Sequence, residues 1–193
     1  MIALTQRPRE VVAIELQPLL AELAARNATL NQLDNLRALQ ADLRRAVPGL
    51  APRSFDWVVA NPPYRAAGSG RESPDPSRRL ARGADGASLR DFVAAAARYA
   101  RHGGRVALVF TAARTAELLA ELRSHALEPK RCRFVHPYAD RPATLILVEA
   151  RKGGRVQASI EPPLILWASA GVYTAEARAM LHGVTLATPD GAT

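Results

Sequence analysis

The stretch Phe55-Asp56-Trp57-Val58-Val59-Ala60-Asn61-Pro62-Pro63-Tyr64 decides how this chain is read. Its first six residues form a short apolar, β-branched run of strand length, and Pro62-Pro63 cannot continue a central strand because neither proline has an N–H for the ladder. A buried strand therefore ends at Asn61. The amide, a proline-stiffened carbonyl and an aromatic ring are delivered to the carboxyl edge of a sheet, where open α/β folds bind ligands. That is a site for a flat, nitrogen-bearing group.

Working outward, strand-like runs alternate with helical patterns, which predicts an α/β fold with a doubly wound, mostly parallel sheet. Glu10 to Ile14 is a strand that leads to Glu15. Pro18 opens a helix carrying Leu19, Leu20, Leu23 and Ala24 at helical spacing to about Asn31. Leu36 to Gln40 is a second strand, leading to Asp42. Ser88 is an N-cap for a helix marked by Leu89, Phe92, Val93, Ala96 and Ala100, which Gly103-Gly104 stops. The spacing then predicts a strand at Arg105 to Phe110, a helix at Thr115 to His125, and a hairpin of Arg131 to His136 with Thr144 to Glu149. The expected organisation is one domain over residues 1–150. Residues 151–193 form an appendage whose order resumes near Leu164 to Trp167 and in a short helix, Ala175 to Leu181.

Composition sets the outer limits. The chain has 193 residues, 48% hydrophobic and 23% charged, enough for a folded domain with a sizeable core. It has neither a signal-peptide pattern nor an 18-residue apolar span, so the expectation is a cytoplasmic protein with no membrane segment. A single cysteine, Cys132, is expected to pack as a small half-buried strand residue, and no Cys/His cluster has metal-ligand spacing. The scattered His102, His125, His136 and His182 read as capping or surface groups, and Trp57 reads as core. The net charge is +8, carried almost wholly by arginine, with Lys130 and Lys152 the only lysines. Such a surface suits an anionic partner such as RNA or DNA. Residues Arg65 to Gly86 form a long loop rich in Gly, Ser, Pro and Arg, and its Arg65, Arg71, Arg78, Arg79 and Arg82 suit phosphate contacts.

The chemistry of the tetrapeptide is specific. An exocyclic amine such as that of adenine is a poor nucleophile, because its lone pair is delocalised into the ring. Acceptors aimed at its N–H bonds draw the nitrogen toward a pyramidal geometry. The Asn61 side-chain oxygen and the Pro62 carbonyl can each accept one of those hydrogens, while Tyr64 stacks on the base face. No general base is required.

An Asn-Pro-Pro-Tyr turn after a buried strand resembles the signature of S-adenosylmethionine-dependent methyltransferases acting on adenine N6 or on glutamine amides. More narrowly the chain resembles bacterial tRNA(Val) adenine-N6 methyltransferases, through Arg78-Arg79-Leu80-Ala81-Arg82 and, more loosely, Val172-Tyr173-Thr174-Ala175-Glu176. The resemblance implies catalytic roles for Asn61, Pro62 and Tyr64, and cofactor contacts from Glu15 to the ribose, from Asp42 beside the adenine and from Asn61. It also implies an RNA substrate, tRNA above all, contacted by Arg65, Arg78, Arg79 and Arg82, with S-adenosyl-L-methionine as methyl donor and no metal. Glutamine methylation of a protein and a non-catalytic RNA-binding remnant are the alternative expectations.

One departure from the resemblance matters most. A nucleotide-binding unit carries its Gly-rich turn about 20 residues ahead of the ribose-binding acid, yet the first glycine is Gly49. Met1 to Thr5 read instead as the latter half of a following helix. The expectation is a partial methyltransferase domain lacking the first strand and the Gly-rich loop, whether through a gene start placed downstream, a fragment, or a chain that has lost catalysis.

Overall fold

The computed structural model describes residues 8–64 and 87–181. It divides into two compact units, Met1–Ala51 and Pro52–Thr193.

In the first unit, β1 (Val11–Glu15) and β2 (Leu36–Gln40) pair in parallel, with Val11 opposite Leu36 and Glu15 opposite Gln40. Helix α1 (Pro18–Leu30) connects them, and Pro18 sits at its start, where a missing N–H costs nothing. The helix buries Ala21 and Ala28 but leaves Leu19, Leu20, Leu23 and Leu30 exposed. Its leucine stripe is therefore not its packed face; the small residues permit the close approach.

The second unit is built on a six-stranded sheet in the order β3-β4-β6-β5-β7, with β8 also on β5. Its strands are β3 (Phe55–Ala60), β4 (Ala100–Thr111), β5 (Leu127–His136), β6 (Leu145–Lys152), β7 (Ser159–Ile160) and β8 (Leu164–Ile165). Strands β3 and β4 run parallel, and β6 lies antiparallel between β4 and β5. The α/β class with parallel βαβ pairing thus matches the expectation from sequence, and the hairpin closes it. A separate pair, β9 (Trp167–Ser169) with β10 (Val172–Tyr173), stacks Trp167 on Tyr173 at 4.0 Å before helix α4 (Ala175–Leu181). Order in the tail resumes earlier than expected, at β7, because Arg131 and Cys132 of β5 offer a ladder edge to Ser159 and Ile160.

Helices α2 (Leu89–Tyr99) and α3 (Thr115–Ser124) cover one face of this sheet. Between them lies the core: Val93 and Ala96 of α2, Leu118 and Leu122 of α3, and every second residue of β4, namely Val106, Leu108 and Phe110. Cys132 is buried there too, and burial pushes its thiol upward in pKa. Period-two alternation puts Val58 and Ala60 against this core and turns Trp57 and Val59 to the opposite face. Trp57 is consequently not core, as the sequence suggested, but 48% exposed, with the Arg105 guanidinium 5.2 Å over its ring.

Two local details follow from chemistry. Helix α2 starts at a capping box: Ser88 Oγ accepts from Asp91 N at 3.3 Å, and Asp91 Oδ2 accepts from Ser88 N at 2.8 Å. Replacing Ser88 with Ala is expected to cost about 1 kcal/mol in denaturant unfolding, and a variant as stable as the parent would show that the cap contributes nothing. The helix stops at Tyr99, before the glycine pair expected to end it. Gly104 instead lies in an irregularity of β4, where the register jumps from Phe55–Ala100 to Trp57–Arg105. A Cβ at Gly104 would fall 2.9 Å from Arg101 O and 3.1 Å from Phe55 O, so only glycine fits.

Candidate active site

Asn61 follows the last residue of β3 at its carboxyl end. Ala60 pairs with Leu108 in the parallel register, so the chain beyond it runs beside Phe110 of β4. Pro62 is fully buried while Asn61 and Tyr64 are exposed, which anchors the turn by its prolines and leaves its functional groups outward. The Tyr64 hydroxyl donates to Asn61 Oδ1 at 2.8 Å. Its ring meets Phe110 edge-on, 6.0 Å between centroids and 79° between planes. The arrangement brings together the three residues that the sequence proposed as catalytic, with the Asn61 carboxamide beside an aromatic ring.

Sequence reasoning missed the groups around this turn. Arg114 Nη1 donates to Tyr64 O at 2.9 Å, and Arg114 Nε donates to Glu117 Oε2 at 2.7 Å. The same guanidinium lies 5.0 Å over the Phe110 ring. The hydrogen bond from Arg114 holds the Glu117 carboxyl below its ordinary value, and the same bond raises that of Arg114. An Arg and a Glu three apart at a helix start were the available signal, but an i,i+3 pair is commonplace on helix surfaces.

Asn61 also lies on the rim of an open cavity of about 570 Å³ on the sheet face away from α2 and α3. Its floor is apolar, from Val59, Ala107 and Leu147. Arg131 and Glu149, 3.5 Å apart, stand among its polar groups. Such a lining accepts a flat apolar face with a polar edge.

In the first unit, Glu15 and Asp42 stand at the carboxyl ends of the parallel pair β1–β2. Glu15 Oε1 accepts from Gln17 N at 2.9 Å, a local bond at the helix entry that involves one carboxylate oxygen. Asp42 is more heavily engaged, since Arg44 Nε lies 2.9 and 3.0 Å from its two oxygens and Arg44 Nη2 lies 2.7 Å from Oδ2. That side-chain bonding holds its carboxyl below the usual range. Arg65, Arg78, Arg79 and Arg82 lie outside the described residues. Among the described residues no three His, Cys, Asp or Glu side chains converge as a metal site requires, and no helix is long and apolar enough to cross a membrane.

No protein-family model matches the chain. It is 38% identical over 129 residues to the release factor glutamine methyltransferase of Mycolicibacterium smegmatis, covering 60% of this chain and 44% of that protein. It is 34% identical over 99 residues to the tRNA1(Val) (adenine(37)-N6)-methyltransferase of Aeromonas hydrophila, covering 51% of this chain and 41% of that one. The chain therefore spans under half the length of either relative. In three dimensions it is similar to a predicted O-methyltransferase of Agrobacterium tumefaciens, with a TM-score of 0.75 and 22% identity, covering 98% of this chain and 86% of that one. Other solved structures with this fold are methyltransferases holding S-adenosylmethionine or its demethylated product. The fold of the chain is that of the S-adenosylmethionine-dependent methyltransferases.

Proposed function

We propose that this chain contributes the acceptor site of an S-adenosylmethionine-dependent methyltransferase that modifies the exocyclic N6 amine of adenine in RNA, tRNA included. The observation that carries the reading is the hydrogen bond from the Tyr64 hydroxyl to the Asn61 carboxamide oxygen at the carboxyl end of β3. Asn61 Oδ1 is an acceptor for one N–H of the amine, and the Pro62 carbonyl is the candidate for the other. Both dipoles then stabilise the positive charge that develops on nitrogen. Tyr64 supplies a stacking surface worth about 1–3 kcal/mol per base.

For the cofactor, Glu15 and Asp42 are the candidate ribose and adenine contacts. Carboxylates at the ends of neighbouring parallel strands suit hydroxyl donors. Glu15 fits with one oxygen engaged only locally, while Asp42 fits if Arg44 yields one of its bonds. When bound, S-adenosylmethionine supplies an electrophilic methyl group on a sulfonium.

The glutamine reading is the second one, favoured by the relative named for a release factor. An amide nitrogen poses the same geometric problem to the same turn. The net charge of +8 supports nucleic acid over protein. Incubation with tritiated S-adenosylmethionine separates the two. Label recovered as N6-methyladenosine supports the RNA reading, label in a release factor transfers the assignment to glutamine, and label in neither from a chain that calorimetry shows to bind S-adenosylmethionine sinks both.

The Arg-rich segment carries a further expected result. Replacing Arg78, Arg79 and Arg82 with Ala should weaken RNA binding uniformly across sequences and lower the slope of log K against log salt by about one for each phosphate no longer neutralised. An unchanged slope would remove these arginines from the interface.

A further inference from the structure

We infer that Arg114 is a positioning residue for the acceptor turn, locking Asn61 and Tyr64 into one geometry through the Tyr64 carbonyl. The inference rests on reading Asn61 to Tyr64 as the acceptor site.

The turn is hard to hold. Pro62 and Pro63 have no N–H, so the usual way of pinning a loop, through its amide donors, is closed at both positions. Carbonyls are the handles that prolines leave in place, and the Tyr64 carbonyl is the one that Arg114 takes, at 2.9 Å. A guanidinium is suited to this because its five donors lie in one rigid plane. One edge of the Arg114 plane is fixed by Glu117, which receives Nε and Nη2 on its two carboxylate oxygens. The remaining Nη1 is thereby aimed at Tyr64. Glu117 lies in the first turn of α3, whose Leu118 and Leu122 are fully buried, so the clamp is anchored to the core.

The consequence runs back to the catalytic amide. With its carbonyl fixed, Tyr64 sets its ring against Phe110 and its hydroxyl on Asn61 Oδ1. Phe110 also lies under the Arg114 guanidinium, so a single buried ring backs both the clamp and the residue it clamps. Lysine could not replace the arginine, since one ammonium on a flexible stem cannot serve Glu117 and Tyr64 in two fixed directions.

The test compares Arg114→Met, Arg114→Lys and Glu117→Gln with the parent by proton–nitrogen NMR and thermal melting. In both Arg114 variants the side-chain amide pair of Asn61 and the backbone signal of Tyr64 should shift or broaden. Signals from the centres of β4 and β6 should stay in place. Glu117→Gln should move the same signals by a smaller amount. Methyl transfer should fall on the order of 10²-fold in kcat in Arg114→Met with little change in KM, as expected when a reacting group is misplaced rather than removed. Failure of Arg114→Lys to rescue separates the fork geometry from charge alone.

Unmoved Asn61 and Tyr64 signals in Arg114→Met would overturn the clamp. Should that variant unfold, Glu117→Gln decides: shifts confined to the turn support the clamp, and none overturns it. Methyl transfer that survives Asn61→Ala would instead overturn the acceptor reading, whatever the NMR of Arg114 variants shows.

Discussion

Asn61→Ala is expected to reduce methyl transfer by on the order of 10² to 10³-fold, the effect of deleting one preorganised hydrogen-bonding dipole from a site where charge develops. The amine of adenine keeps its lone pair in the ring until something favours the pyramidal form. Alanine offers no acceptor, and the shortened side chain leaves the Tyr64 hydroxyl without its partner at 2.8 Å. Fold stability should barely change, because Asn61 is exposed and lies beyond the last pairing of β3 with β4. The decisive measurement is incorporation of tritiated methyl groups beside a thermal melt of each protein. A rate within tenfold of the parent, with melting unchanged, would exclude Asn61 as the acceptor. Asn61→Asp sharpens the point: it retains an acceptor but adds a charge beside the Tyr64 ring, so it should retain more activity than alanine while altering the pH profile.

How far this site can be read from sequence depends on the range of the interactions involved. The turn itself was legible, since a β-branched run broken by two prolines leaves one place for Asn61 and Tyr64, at a strand's carboxyl end. The Ser88 cap was legible for the same reason: its partner, Asp91, lies within one helical turn. Arg114 was not, because its bond to Tyr64 spans 50 residues and depends on the parallel register of β3 with β4. Trp57 marks a different limit. Alternation along Phe55 to Ala60 divides the strand into two faces, but it carries no information about which face α2 and α3 will cover. Hydrophobicity alone favours the core for the large aromatic, yet the helices pack on Val58 and Ala60 instead. The exposed leucines of α1 repeat the lesson: periodicity finds a helix, and packing partners decide which side is buried.

Phe110→Ala should be the most destabilising single change at the site, costing about 3–5 kcal/mol in urea unfolding, the range for deleting a fully buried aromatic ring and leaving a cavity. Leu122→Ala should cost a comparable 2–5 kcal/mol, on the order of the same range, since Leu122 is just as buried in the same core. The two differ in what else they move. Phe110 is the ring against which Tyr64 rests and over which Arg114 lies, whereas Leu122 belongs to the packed face of α3. At a temperature where both variants remain folded, Phe110→Ala should displace the Asn61 side-chain amide signals and lower methyl transfer; Leu122→Ala should leave both near the parent. Equal losses of stability with equal effects on Asn61 would mean that the turn senses global stability alone. Unequal effects at matched stability would assign the difference to the ring, because the lost burial is shared and only the packing against Tyr64 and Arg114 is not.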